Sequence, residues 1–167
     1  MNKALFLDRD GVVNVEKNYL HKIEDFELVE GILDVCCKYQ EQGYLIIIVT
    51  NQSGISRGYY SEEDFAVLSQ WMRDHFKRLG ITITHIYHCP HHESIDGVCE
   101  CRKPSPGMFL RAQREHQIDM SASVMIGDNE RDIEASLRAG VGMNILLSAQ
   151  ADHSKADRII HSLRELL

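Results

Sequence analysis

A doubly wound, mostly parallel α/β sheet with helices on both faces, Rossmann-like in its layering, is the fold this sequence predicts. Short β-branched apolar runs alternate with amphipathic stretches along the whole chain. The first run, Ala4-Leu5-Phe6-Leu7, is continuous rather than alternating, as in a strand buried on both faces. The longest irregular stretches, from Gly11 to about Glu30 and from Cys89 to Pro104, leave the carboxyl ends of predicted strands, where open α/β sheets place their ligands.

The elements follow in order. After the strand that stops at Asp8, residues Gly31 to Gln42 carry apolar positions at helical spacing and end at Gly43, a C-terminal capping glycine. The β-branched run Leu45 to Val49 is the second strand. Ser61 caps a helix running to about Leu79, Gly80 closes it, and Ile81 to Tyr87 forms a third strand. A helix over Ser105 to Gln117 has Pro106 in its first turn. A strand over Val124 to Ile126, a helix over Glu130 to Ala139 and a strand over Met143 to Leu147 continue the alternation. Asp152 to Leu167 reads as a short strand and an amphipathic helix. No repeat, linker or low-complexity tract interrupts this pattern, so residues 1–167 are expected to form one domain.

The 167 residues can bury roughly two-thirds of the unfolded chain's surface. A composition 44% apolar and 26% charged with three prolines is that of an ordinary globular protein. The apolar run Tyr44 to Val49 is far short of the ~20 residues of a membrane helix, and the N-terminus has no signal-peptide pattern, so a cytoplasmic protein is expected. A formal charge of −7 without any Lys/Arg cluster speaks against nucleic acid or an anionic membrane as partner. Among the five cysteines, Cys89, Cys99 and Cys101 crowd together while Cys36 and Cys37 are adjacent in a helical stretch, which is not a disulfide framework.

Chemistry concentrates at the strand ends. Asp8-Arg9-Asp10-Gly11 offers two carboxylates that can divide the work of nucleophile and proton donor, although Asp and Gly also populate simple turns. Thr50-Asn51-Gln52-Ser53-Gly54 presents hydroxyl and amide donors that could bind phosphate oxygens or bond their own backbone. Gly127-Asp128-Asn129-Glu130-Arg131-Asp132 repeats the pattern. Asp128 could share a hard divalent cation with Asp8 or cap the following helix, and Asp132 suits a supporting role. Arg102-Lys103 supplies adjacent cations in an acidic chain. Cys89, His91, Cys99 and Cys101 form a four-donor set that matches a closed structural zinc site, with His88 and His92 as alternative imidazoles and free thiols as the metal-free alternative.

Taken together, Asp8-x-Asp10-Gly11, Thr50 to Gly54, Lys103 and Gly127-Asp128-x-x-x-Asp132 resemble the four ordered motifs of the haloacid dehalogenase superfamily of phosphohydrolases. Each motif is weak alone; the ordered set is specific. With the Cys-x-His and Cys-x-Cys-Arg-Lys-Pro loop, the chain is more closely similar to the heptose 1,7-bisphosphate 7-phosphatases and to the histidinol-phosphate phosphatases, from Asp8 to about Leu147. The resemblance implies an aspartyl-phosphate formed on Asp8, Asp10 as general acid and base, and Mg²⁺ held by Asp8, the Asp10 carbonyl and Asp128. It further implies that Thr50 and Lys103 hold the phosphoryl oxygens and that Arg102 recognises the distant part of a small phosphorylated sugar. Asn51, Gln52, Ser53 and Tyr19 are expected at the substrate, and zinc is structural.

Neither gap between motifs has room for a cap domain, so a capless member is implied, and a monomer is expected. The resemblance also implies a step that supplies lipopolysaccharide precursors. Asn129 stands where the heptose enzymes carry a lysine, which leaves one positive charge fewer beside the metal. A zinc-stabilised binding module is the non-enzymatic alternative, and it has no need of an Asp8 nucleophile.

Overall fold

The apolar run at the N-terminus becomes β1 (Lys3–Leu7), the strand on which the sheet is organised in this computed structural model, which describes residues Met1–Leu167. Helix α1 (Ile32–Glu41), β2 (Tyr44–Asn51), α2 (Glu62–Arg78) and β3 (Ile83–Cys89) follow. The second half comprises α3 (Glu93–Asp96), α4 (Gly107–His116), β4 (Val124–Gly127), α5 (Glu130–Arg138), β5 (Met143–Leu147) and β6 (Arg158–Ile160). All strand pairs are parallel, in the order β3-β2-β1-β4-β5-β6. The chain winds outward from β1 through β2 and β3, then crosses back to β4 on the other side of β1. The carboxyl ends of β1 and β4 therefore flank the point where the winding reverses, the usual ligand crevice of such sheets.

Side chains that alternate along each strand feed two cores on opposite faces. Leu5, Leu7, Ile46, Ile48 and Ile126 pack with Ile32 and Val35 of α1 and with Met72 and Phe76 of α2. Ala4, Phe6, Ile47, Val49 and Met125 pack on the other face with Met108, Phe109 and Ala112 of α4 and with Ala135 of α5. Phe6 and Phe109 meet with ring centroids 5.0 Å apart. Full burial of side chains like these is worth about 1.5–3 kcal/mol each, which makes the two β1 faces the anchor of everything that leaves its carboxyl end.

Local signals behave as the sequence predicts at α2, where Ser61 and Asp64 form a reciprocal capping box. Gly43 follows α1 with φ +88, a left-handed conformation that closes the helix.

Four expectations are corrected. The third strand begins at Ile83 and runs to Cys89, because its ladder with β2 pairs Asn51 with Cys89, so Cys89 is a strand residue and not part of the loop. Pro106 is the N-cap of α4 rather than a first-turn residue. The C-terminal segment ends in a 3-10 turn, Leu163–Leu166, instead of an amphipathic helix, with Leu163 and Leu166 buried against the core. Asn129, not Asp128, caps α5. Cys36 is buried and Cys37 exposed on α1, an ordinary packing pair.

Candidate active site

Asp8 is the first residue beyond β1, and its backbone N–H still bonds Ile126 O on β4 at 3.2 Å, so the side chain leaves a fixed base. Its Oδ1 accepts from the Arg9 backbone N–H at 2.9 Å and from Lys103 Nζ at 3.0 Å. Lys103 is only 1% exposed. Its ammonium also donates to Val49 O at 2.8 Å and lies 2.7 Å from Asp132 Oδ1. Three protons thus meet three acceptors, which is what allows a lysine to be buried charged. Burial alone would push Lys103 down, yet Asp132 and Asp8 outweigh it and hold the ammonium above its ordinary range.

Asn51 fixes the same lysine from β2. Its Oδ1 accepts from Lys103 N at 3.0 Å and its Nδ2 donates to Lys103 O at 3.2 Å. Both amide atoms expected at the substrate are thereby engaged with the main chain of Lys103.

Carboxylate oxygens of Asp8, Asp128 and Asp132 lie within 4.8 Å of one another. Burial, then the charge of Asp132, pushes Asp8 well above the usual carboxylate range, against the pull of Lys103. The same two causes push Asp128 up to about 6. Acids crowded this closely are ready to take up a cation. Asp132 is already engaged: Oδ2 accepts from the N–H groups of Asp128 and Asn129 at 3.2 and 3.1 Å, and Oδ1 faces Lys103. Asp8 and Asp128, from two strand ends, are the members of the cluster that could hold a magnesium ion with their side chains.

Gly11 makes this approach possible. It has φ +94, and a Cβ there would sit 2.0 Å from Asp128 Oδ2. No L side chain fits.

Asp10 is held on both oxygens. Oδ1 accepts from Arg9 Nη2 and Asn14 Nδ2, each at 3.0 Å, and Oδ2 accepts from Gln52 Nε2 at 3.0 Å. Gln52 is buried, bonds Thr50 Oγ1 at 2.8 Å and accepts from Tyr60 OH. Gln52 therefore orients Asp10 and Thr50, while Ser53 lines the cleft outside them. Arg9, almost fully buried, also donates to Leu20 O at 2.9 Å and ties the 11–30 loop to the motif. A lone Arg between two Asp residues gave no sequence signal of this.

A cleft of about 110 Å³ lies between Asp8, Asp10, Lys103, Asp128 and Asp132. It continues into one of about 280 Å³ that reaches Tyr19, Ser53 and Arg102. Asn18 and Tyr19 both have left-handed backbones, φ 55 and 65, and the Tyr19 ring meets Tyr59 edge-on at 4.8 Å. Two cations on this wider cleft, Arg57 and Arg131, were not singled out in the sequence. Arg57 bonds His92 Nε2 at 2.6 Å and lies over the Tyr19 ring.

Cys89, His91, Cys99 and Cys101 converge, with their ligand atoms all within 4.8 Å of one another. Cys99 Sγ is 3.7 Å from both other sulfurs, and His91 Nδ1 is 3.5 Å from Cys89 and 3.3 Å from Cys101. A tetrahedral site with Zn–S of about 2.3 Å needs edges of about 3.8 Å, so the donors fit zinc; the Cys89–Cys101 pair, at 2.6 Å, is the one too close. Burial pushes the Cys99 thiol up, but the Arg102 N–H and the neighbouring thiols outweigh it and bring it down to about 7. Neither His88 nor His92 belongs to the set: His88 bonds Glu62, and both ring nitrogens of His92 are engaged, by Arg57 and Ser94.

Comparison with known proteins agrees with this geometry. Residues 4–162 match the family Polynucleotide kinase 3 phosphatase. A D-glycero-alpha-D-manno-heptose-1,7-bisphosphate 7-phosphatase of Campylobacter jejuni is 48% identical over 165 residues, 99% of this chain and 94% of that protein. A D-glycero-beta-D-manno-heptose-1,7-bisphosphate 7-phosphatase of Yersinia pestis is 42% identical over 98% of this chain and 92% of its own length. The crystal structure of a D,D-heptose 1,7-bisphosphate phosphatase from B. bronchiseptica, complexed with magnesium and phosphate, superposes with TM-score 0.86 at 28% identity, covering 98% of this chain and 95% of that one. The chain belongs to this haloacid dehalogenase-type phosphatase family, and it is a phosphoric monoester hydrolase.

Proposed function

We propose that this chain removes the 7-phosphate of D-glycero-D-manno-heptose 1,7-bisphosphate, with Asp8 as nucleophile and Asp10 as general acid and base. The observation that carries the reading is the Asp8 carboxylate at the end of β1, held 3.0 Å from a fully buried Lys103 and open to the small cleft. Asp8 attacks phosphorus while Asp10 gives a proton to the departing sugar oxygen. Asp10 then takes a proton from the water that attacks the aspartyl-phosphate, freeing Asp8 and inorganic phosphate. Lys103 and the Thr50 hydroxyl stabilise the charge on the transferring phosphoryl oxygens. Asp8, the Asp10 carbonyl and Asp128 would hold magnesium, which when bound would offset the negative charge of the approaching phosphoryl group. Asn51 and Gln52 position Lys103 and Asp10, and Ser53, Tyr19 and Arg102 meet the sugar and its remainder.

The arginines of the wider cleft favour an anionic remainder over histidinol, whose amine would carry positive charge. Three free thiols in the zinc set support a reducing, cytoplasmic location. Every proposed catalytic group comes from this one chain, which supports a monomer, and two cores sharing one sheet support a single domain.

The test is phosphate release with Mg²⁺ from both anomers of heptose 1,7-bisphosphate beside histidinol phosphate, with the product identified by phosphorus NMR. Heptose 1-phosphate as product supports the reading, whereas preferential histidinol phosphate hydrolysis contradicts it.

A further inference from the structure

The wider cleft contains three guanidinium groups of different standing. Arg57 is anchored to His92 Nε2 at 2.6 Å and lies over Tyr19. Arg102 leans on His91 O at 3.4 Å. Arg131, in the first turn of α5, has its backbone N–H accepted by Asn129 Oδ1 at 3.1 Å. Its guanidinium has no hydrogen-bond or ion-pair partner in the protein.

Its place is as informative as its lack of partners. Arg131 lines both the small carboxylate cleft and the wide one, together with Asp10, Glu16 and Asn51. It therefore stands where the reacting phosphoryl group gives way to the rest of the substrate. The Glu16 carboxylate is the acidic group there besides Asp10, and it is engaged, accepting from Asn18 N at 2.6 Å, while Asp10 is bonded by Arg9, Asn14 and Gln52. A guanidinium without a protein partner, on a cleft whose two carboxylates are not paired to it, is a planar donor fork left for an anion that arrives with the ligand.

We infer that Arg131 is a specificity-determining residue whose guanidinium takes the non-reacting phosphate of the substrate, so that it sets the preference for a sugar bisphosphate over the corresponding monophosphate. This rests on the proposed substrate class. Arg131 contributes to binding at a distance from the reacting phosphorus, so its loss raises KM and leaves kcat near its original value.

The experiment compares heptose 1,7-bisphosphate with heptose 7-phosphate, which has the same reacting group and lacks the 1-phosphate, for the native enzyme, Arg131→Gln and Arg131→Lys. For Arg131→Gln the expected result is a KM for the bisphosphate raised about tenfold to a hundredfold, kcat within about twofold, and unchanged constants for the monophosphate. Arg131→Lys should recover part of the bisphosphate KM. Arg131 is exposed and unpartnered, and an unchanged Tm should accompany each variant. A native preference for the bisphosphate that survives Arg131→Gln, or an equal loss on both substrates, overturns the inference alone. A native enzyme that does not distinguish the two substrates overturns the substrate reading and the inference with it.

Discussion

The side-chain amide of Asn51 brackets the main chain of Lys103, accepting from its N–H at 3.0 Å and donating to its C=O at 3.2 Å across 52 residues of sequence. The clamp joins the end of β2 to the segment that follows the zinc cysteines, and it sets where the Lys103 ammonium enters the site. Asn51→Ala should lower stability by about 1–3 kcal/mol, the range for leaving part-buried main-chain groups unmet. It should also lower kcat about a hundredfold, as misplacement by an ångström can. Urea unfolding and steady-state turnover of the same variant check the two effects; unchanged turnover in a destabilised variant would reduce Asn51 to a structural clamp.

Lys103 and Asp132 are each about 1% exposed, with Nζ and Oδ1 2.7 Å apart. Breaking a buried pair from one side leaves an uncompensated charge and is expected to be destabilising by about 3–5 kcal/mol. Lys103→Met and Asp132→Asn should therefore each lower the urea midpoint strongly, and the double variant should lose less than their sum. Additivity would show that the two groups are energetically independent.

Gly11 lies so close to Asp128 that any Cβ would overlap its carboxylate. Gly11→Ala should displace Asp128 and raise the Mg²⁺ concentration for half-maximal activity about tenfold to a hundredfold, the scale seen when a ligand's support is removed. A magnesium titration reads this directly, and an unchanged midpoint would remove Asp128 from the ligand set.

Zinc is expected at one ion per chain. Because His92 of the zinc segment bonds Arg57, and Arg102 and Lys103 follow Cys101 directly, metal loss should loosen one wall of the cleft as well as the fold. Chelation, or Cys99→Ser with Cys101→Ser, should lower Tm, expose residues 89–104 to proteolysis and reduce turnover. A zinc-free protein with unchanged Tm and turnover would contradict this.

The sequence made legible whatever is written locally. The continuous runs of β1 and β2 name buried strands, Ser61 and Gly80 bracket α2, and Asp8, Lys103 and Asp128 announce themselves by their places in ordered motifs. Features set by distant partners were hidden. Cys89 belongs to a strand because Asn51 opposes it in the ladder. Gln52 turns inward because Asp10, 42 residues earlier, accepts from its Nε2 and the Tyr60 hydroxyl donates to its Oε1. The last turn is too short to be a helix, yet Leu163 and Leu166 satisfy the core from a 3-10 turn, so the apolar pattern was right and the helix wrong. Arg57 and Arg131 belong to no pattern of spacing; only the folded chain brings them to one cleft.

The most direct test of the central claim is Asp8→Asn, an almost isosteric change that retains an oxygen to accept from Arg9 N–H and Lys103. Phosphate release from heptose 1,7-bisphosphate in Mg²⁺ should fall by about four orders of magnitude or more, as when other enzymes lose a nucleophile, while the circular dichroism spectrum remains native. Turnover within about tenfold of the native enzyme would contradict a covalent mechanism at Asp8.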